Sequence, residues 1–209
     1  VEVLERTSLC YINSPNNPCA VSYSEESLRE ILFLARRYGF AVASDECYSE
    51  IYFDQKPISM LEVCANLDGD ATFKNVVAFD TLSKRSSLPG LRSGSMVGDE
   101  SLVSSYLKVR LSERKVLPGN VQRASAYAWT NYEDVARSRE LYRQKFELVC
   151  DAFAAIGQPM MVPDSTFYCW LDVSHLNSND ETFALALARE TGILTFPGNY
   201  FSVVNEGVN

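Results

Sequence analysis

Residues 39–46 read Gly39-Phe40-Ala41-Val42-Ala43-Ser44-Asp45-Glu46, and this stretch decides the fold class. Five residues with almost no polar surface run without alternation into two carboxylates. A continuous apolar run of that length, opened by glycine, reads as a strand covered on both faces, as in a parallel sheet between helices. Upstream, Leu28, Ile31, Leu32 and Ala35 recur at helical spacing, so residues 25–38 form an amphipathic helix. Ser22-Tyr23-Ser24-Glu25 resembles a capping box at its start, and Gly39 stops it. Ser8–Ile12 is a strand that runs into Asn13-Ser14-Pro15-Asn16-Asn17-Pro18, a segment of turn formers. Asn75–Asp80 repeats the pattern and is followed by Thr81-Leu82-Ser83-Lys84, and Arg92–Val97 is a further strand.

Strand, polar strand end and helix in alternation describe an α/β layer with a mostly parallel sheet. Such sheets collect ligands at the carboxyl ends of their strands. The clusters at Asn16-Asn17, Asp45–Tyr48 and Thr81–Lys84 all follow apolar strands, so they converge on one sheet edge. The second half changes character. Helices are expected at Glu100–Val109, Val121–Trp129 and Tyr132–Ile156, then a strand at Thr166–Leu171, a helix at Glu181–Thr191 and a short strand at Ile193–Phe196. This predicts a smaller α+β domain, with residues 1–130 in the large domain and 131–209 forming a linker helix and part of the small one.

The chain has 209 residues and a net charge of −8, from 19 basic and 27 acidic side chains. An acidic chain without a basic run is poorly suited to coat nucleic acid or anionic lipid. No apolar run of about 18 residues exists that could cross a bilayer. An aromatic content of 11% without low-complexity tracts argues against disorder. The six cysteines lie far apart, at positions 10, 19, 47, 64, 150 and 169, and read as buried reduced thiols of a cytoplasmic protein. One histidine, His175, does not make a zinc site. The chain begins at Val1 and stops in a polar stretch, so both ends read as cuts through a longer protein.

The polar clusters each admit a bland and a functional reading. Lys84 is either a solvated lysine or an imine-forming amine. Arg92, at the head of an apolar strand, is either half of a structural ion pair or a planar fork for phosphate, with the hydroxyls of Thr81 and Ser83 donating to the same group. Asp45 either caps the turn after it or pairs with a protonated ring nitrogen, since a lone carboxylate is expensive to bury. Tyr48 can face the same side as Asp45, and Asn17 can be mere turn chemistry. Taken together the functional readings describe one ligand, pyridoxal 5'-phosphate: aldehyde, pyridine nitrogen, phenolic oxygen and phosphate.

The strings Asn13–Pro18, Asp45-Glu46-Cys47-Tyr48, Ser83-Lys84 and Leu91-Arg92-Ser93-Gly94 resemble, in order and spacing, the class I/II aminotransferases of fold type I. Pro163–Leu171 looks like the strand that opens the small domain there. Ser83–Gly94 and Val121–Ser125 look most like succinyldiaminopimelate aminotransferases of lysine biosynthesis. The resemblance implies that Lys84 would hold the cofactor as an imine and, once freed, act as base at the substrate Cα. Asp45 would keep the pyridine nitrogen protonated, so that the ring serves as an electron sink. Tyr48 and Asn17 would bond the 3'-oxygen, and Thr81, Ser83 and Arg92 the phosphate. It also implies a homodimer, a phosphate-capping loop and a ring-stacking aromatic upstream, and a carboxylate-binding arginine downstream. The family's Asn-Pro-Thr-Gly is here Asn17-Pro18-Cys19-Ala20, without the glycine. The same cofactor residues would serve a carbon–sulfur lyase, and a non-catalytic regulator domain is the reading from outside enzymology. Arg85 and Arg123 are candidates for a second substrate carboxylate, with surface placement favoured for both.

Overall fold

The computed structural model describes residues 2–69, 72–176 and 179–202. After a one-turn helix α1 (Glu2–Glu5), strand β1 (Leu9–Asn13) leads through the turn-rich loop to α2 (Glu25–Tyr38) and β2 (Ala41–Asp45). Then follow α3 (Met60–Asp68), β3 (Val76–Thr81), the short α4 (Leu82–Arg85), β4 (Gly94–Gly98), α5 (Glu100–Ser112), α6 (Gly119–Thr130), α7 (Glu133–Ala155) and α8 (Asp180–Thr191). The strands lie in the order β1-β2-β3-β4. The first three are parallel, and β4 returns antiparallel along β3.

The apolar spacing of α2 is realised: Leu28, Leu32 and Ala35 are buried, with acidic residues in its first turn and Arg36 and Arg37 in its last, each favourable to the helix dipole. The cap is Ser24 rather than Ser22. Its side chain accepts from the Ser27 amide at 3.2 Å, while the Ser22 hydroxyl pairs with that of Ser165 at 3.3 Å. At the other end Gly39 adopts φ +79°, which glycine reaches without Cβ strain, and its N–H returns to the Ala35 carbonyl. Helix α3 carries a full capping box through Ser59 and Glu62. Both helices press on one sheet face, where Ile12, Leu28, Leu32, Phe40, Val42, Met60, Val63 and Val76 form the core. Each such side chain contributes about 1.5–3 kcal/mol of burial.

The chain divides into two compact units, Val1–Cys169 and Trp170–Asn209, with α7 in the first. In the second, Asn179 caps α8, Gly192 ends it at φ +78°, and buried Asp180 accepts from the Asn199 amide at 2.9 Å. Two expected strands do not form. Residues 166–171 and 193–196 have no strand assignment, and the nearest pairing is the single bridge Tyr52–Ser165. A strand exists only where a neighbour takes up its N–H and C=O groups along its length; in the first segment the Thr166 amide bonds the Ile51 carbonyl at 2.8 Å and no ladder continues from it. All six cysteines are free, but Cys64 alone is fully buried, while Cys19 and Cys169 are exposed. His175 is exposed, as expected.

Candidate active site

Parallel pairing brings the strand ends together. Asn13 sits beside Asp45, and Asp45 beside Phe79, so the loop after β1, the turn after β2 and helix α4 leave the sheet at one edge.

Asp45 is fixed from several sides. Its carbonyl accepts from the Ser14 amide and from Asn13 Nδ2, both at 3.0 Å. Its carboxylate accepts from the Tyr11 hydroxyl at 2.7 Å through Oδ2 and from the Cys47 amide at 3.2 Å through Oδ1. The turn-capping reading therefore holds for one oxygen only. Asn17 also serves twice: its amide bonds Asn13 Oδ1 at 2.8 Å, as turn chemistry, and its side chain reaches the Tyr48 hydroxyl at 3.4 Å. At the place of the missing glycine, buried Ala20 adopts φ +60°, a left-handed conformation costly for a residue with a Cβ.

Tyr48 is buried, its ring edge-on to Phe167 and its hydroxyl 3.0 Å from that of Tyr168. Burial, then the second phenol, raise its pKa well above the usual phenol value. The Lys84 amine lies 5.7 Å from the Tyr48 ring centre and 5.2 Å from that of Phe167, which stacks in turn on Tyr142. Burial, then the charge and hydrogen bonding of Asp45, push the Cys47 thiol up, while Lys84 opposes; amine and acid thus both act on the same sulfur. Thr166, a buried β-branched residue at φ +70°, shapes the turn that delivers Phe167 and Tyr168, and its hydroxyl accepts from the Tyr168 amide.

Thr81 caps α4. Its hydroxyl accepts from the Ser83 amide at 3.2 Å and lies 3.0 Å from both Ser83 Oγ and the Ser93 carbonyl. Arg92 stands two residues before Gly94, the register partner of Thr81. Its exposed guanidinium donates to the Pro89 carbonyl at 3.0 Å, and it makes no ion pair among the described residues. Beside this group, burial raises the Asp80 carboxyl to about 6, against the opposing Thr81 amide and Arg85 charge. Arg85 is not the surface residue that was favoured. It is buried, bonded to the carbonyls of Ala128 and Trp129 at 2.8 and 3.1 Å, and so caps the end of α6. Arg123 is exposed, as favoured.

The structure thus gathers Asn17, Asp45, Tyr48 and Lys84 around one edge, with Thr81, Ser83 and Arg92 side by side at the start of α4. Sequence reasoning missed Tyr11, Phe167 and Tyr168 as parts of the site. Tyr11 was within reach, because it shares a strand face with Asn13. Phe167 and Tyr168 arrive from a distant segment without a local signal. Among the described residues no cluster could hold a metal ion.

The family model "Aminotransferase class I and II" matches residues 2–208, and the chain belongs to that family. It is 31% identical over 206 residues to the LL-diaminopimelate aminotransferase of Nitratidesulfovibrio vulgaris, covering 97% of this chain and 51% of the relative. It is 33% identical to that of Aquifex aeolicus, covering 99% and 52%. A solved aminotransferase from Neisseria meningitidis matches with a TM-score of 0.89 at 39% identity, over 100% of this chain and 52% of that one. The chain therefore spans about half the length of the relatives it matches.

The family uses pyridoxal 5'-phosphate, and the donor set fits it. A primary amine free of ion pairs among the described residues suits the aldehyde, and a carboxylate with acceptor capacity to spare suits the ring nitrogen. A buried phenol beside an amide suits the phenolic oxygen, and two hydroxyls with an exposed arginine suit the phosphate.

Proposed function

We propose that the whole protein is an aminotransferase that moves an amino group from an amino acid to a 2-oxo acid, with succinyldiaminopimelate as donor. The observation that carries this reading is the placement of the Lys84 amine, beside two aromatic rings and within electrostatic reach of the sulfur that Asp45 also contacts. When bound, pyridoxal 5'-phosphate supplies an electron sink for the carbanion at the substrate Cα. Lys84 anchors the cofactor's carbonyl carbon and moves the Cα proton. Asp45 holds a proton on the ring nitrogen, Tyr48 and Asn17 bond the phenolic oxygen, and Thr81, Ser83 and Arg92 grip the phosphate. Residues 1–130 belong to the large domain of the whole protein, and residues 131–209 supply the linker helix and part of the small one. The whole protein works as a homodimer in the cytoplasm, and its free thiols agree with a reducing compartment.

The names of the relatives favour a second donor, unacylated LL-diaminopimelate. Purified whole protein is therefore given each donor with 2-oxoglutarate while glutamate is followed. Glutamate from the succinylated donor supports the first reading, and glutamate from the free diamine alone replaces it with the second. Lys84→Ala abolishes turnover and the visible absorbance of the bound cofactor. Undiminished amino transfer by that variant overturns the assignment.

A further inference from the structure

Tyr11 lies on strand β1, outermost in the described sheet. Among the described residues its side-chain hydrogen bond is the 2.7 Å contact to Asp45 Oδ2. The strand geometry explains the contact. Tyr11 pairs in register with Ala43 and Asn13 with Asp45, so Tyr11, Asn13, Ala43 and Asp45 share one sheet face, with the Tyr11 ring diagonal to the acid. The carboxylate is then held by a hydroxyl on one oxygen and the Cys47 amide on the other, while Asn13 and Ser14 hold its carbonyl. An ionised carboxylate accepts about four hydrogen bonds. Three are engaged, by the Tyr11 hydroxyl, the Cys47 amide and the Cys47 thiol, which leaves about one lone pair for a further donor.

We infer that Tyr11 is a positioning residue: its hydroxyl locks the Asp45 carboxylate in the orientation that offers a free lone pair to the cofactor's ring nitrogen. The inference rests on the reading that Asp45 pairs with that nitrogen. Held by charge-assisted bonds before the cofactor arrives, the acid loses little freedom on binding. The contact also sets the phenol itself: burial, then hydrogen bonding to Asp45 and its charge, push the Tyr11 hydroxyl up to about 12, so it stays a donor at neutral pH.

The test is a double-mutant cycle on the whole protein, stripped of cofactor and titrated with pyridoxal 5'-phosphate by equilibrium dialysis. Tyr11→Phe weakens binding by about 10-fold, the equivalent of one hydrogen bond to a charged group. In an Asp45→Ala background the same change alters affinity less than about 2-fold, because its target is gone. Tyr11→Leu behaves as Tyr11→Phe, and the melting temperature of the cofactor-free protein stays where it was. Equal losses in both backgrounds make Tyr11 a general structural residue and overturn the inference. So does unchanged or tighter binding by Tyr11→Phe while Asp45→Ala still binds weakly, for then the phenol is idle or competes with the ring. If Asp45→Ala leaves affinity intact, the Asp45 reading falls first and the inference falls with it.

Discussion

Replacing Arg85 by methionine separates two accounts of a residue that stands next to Lys84. The guanidinium is buried and donates to the Ala128 carbonyl at 2.8 Å, to the Trp129 carbonyl at 3.1 Å and to Ser86 Oγ at 3.1 Å. It also lies 4.8 Å from the Tyr132 ring centre and 5.4 Å from that of Trp129. The last carbonyls of a helix have no partner within it, and here the arginine supplies partners for two near the end of α6. Methionine fills the volume but removes both bonds, leaving the Ala128 carbonyl only the Asn131 amide at 3.3 Å. At about 1.5 kcal/mol for each charge-assisted bond the loss is about 3 kcal/mol. The cation–π contact adds about 0.5–1 kcal/mol, and release of the buried charge offsets a similar amount. For a chain of 209 residues about 3 kcal/mol lowers the melting temperature by about 6–12 °C, and for a whole protein about twice that length by about half as much. Arg85→Lys, a point charge able to reach one carbonyl, loses about half as much. Urea unfolding of the whole protein measures both variants, alongside KM for the acidic substrate. A destabilisation under about 1 kcal/mol, or a raised KM with stability intact, refutes the helix-capping account and restores Arg85 as a substrate ligand.

Asp80 sits in the first unit with its carboxyl raised from 3.8 to about 6 by burial. The folded state binds this proton more tightly than the unfolded chain. Its contribution to stability is therefore greatest below about pH 4, falls as pH rises towards 6, and is flat above. After discounting for partial solvent exposure the fall is on the order of 1–2 kcal/mol. Asp80→Asn removes it, so urea midpoints at pH 4.5 and 7.5 differ by less in the variant; parallel pH dependence in both proteins contradicts the assignment. Gly98 has φ +148°, and a Cβ there would stand 2.1 Å from the Val76 carbonyl oxygen and 2.8 Å from Val77 Cα. Gly98→Ala cannot keep the β3–β4 register and costs about 3 kcal/mol or more, with faster amide exchange across residues 94–98. An unchanged melting temperature with protected amides rules this out.

The parallel sheet was legible because its signals are local. Phe40–Ser44 is apolar on both faces, Gly39 ends α2, and Leu28, Leu32 and Ala35 are spaced for one buried stripe. Strand edges shifted by a residue or so: β2 covers Ala41–Asp45 and β4 covers Gly94–Gly98. Local signals also misled. The aromatic run after Thr166 has the composition of a strand, yet composition cannot supply a neighbour for its backbone. Ser22 matched a capping pattern, but Ser24 holds the geometry that caps. Arg85 read as a surface charge because nothing nearby in sequence discloses that the end of α6, more than forty residues on, folds over it.

By itself, then, the sequence determined the helices, the four strands of the sheet, their order, and the identity of the side chains at the strand ends, since helical and strand periodicity and turn chemistry act over a few residues. Tertiary structure alone decided which of those side chains meet: that the Tyr11 hydroxyl holds Asp45, that Phe167 and Tyr168 close over Lys84 and Tyr48, and that Arg85 turns inward to a helix end. Such contacts join segments up to 120 residues apart. They depend on register, on left-handed turns such as those at Ala20 and Thr166, and on which surfaces exclude water, and none of these is set by neighbours in the chain.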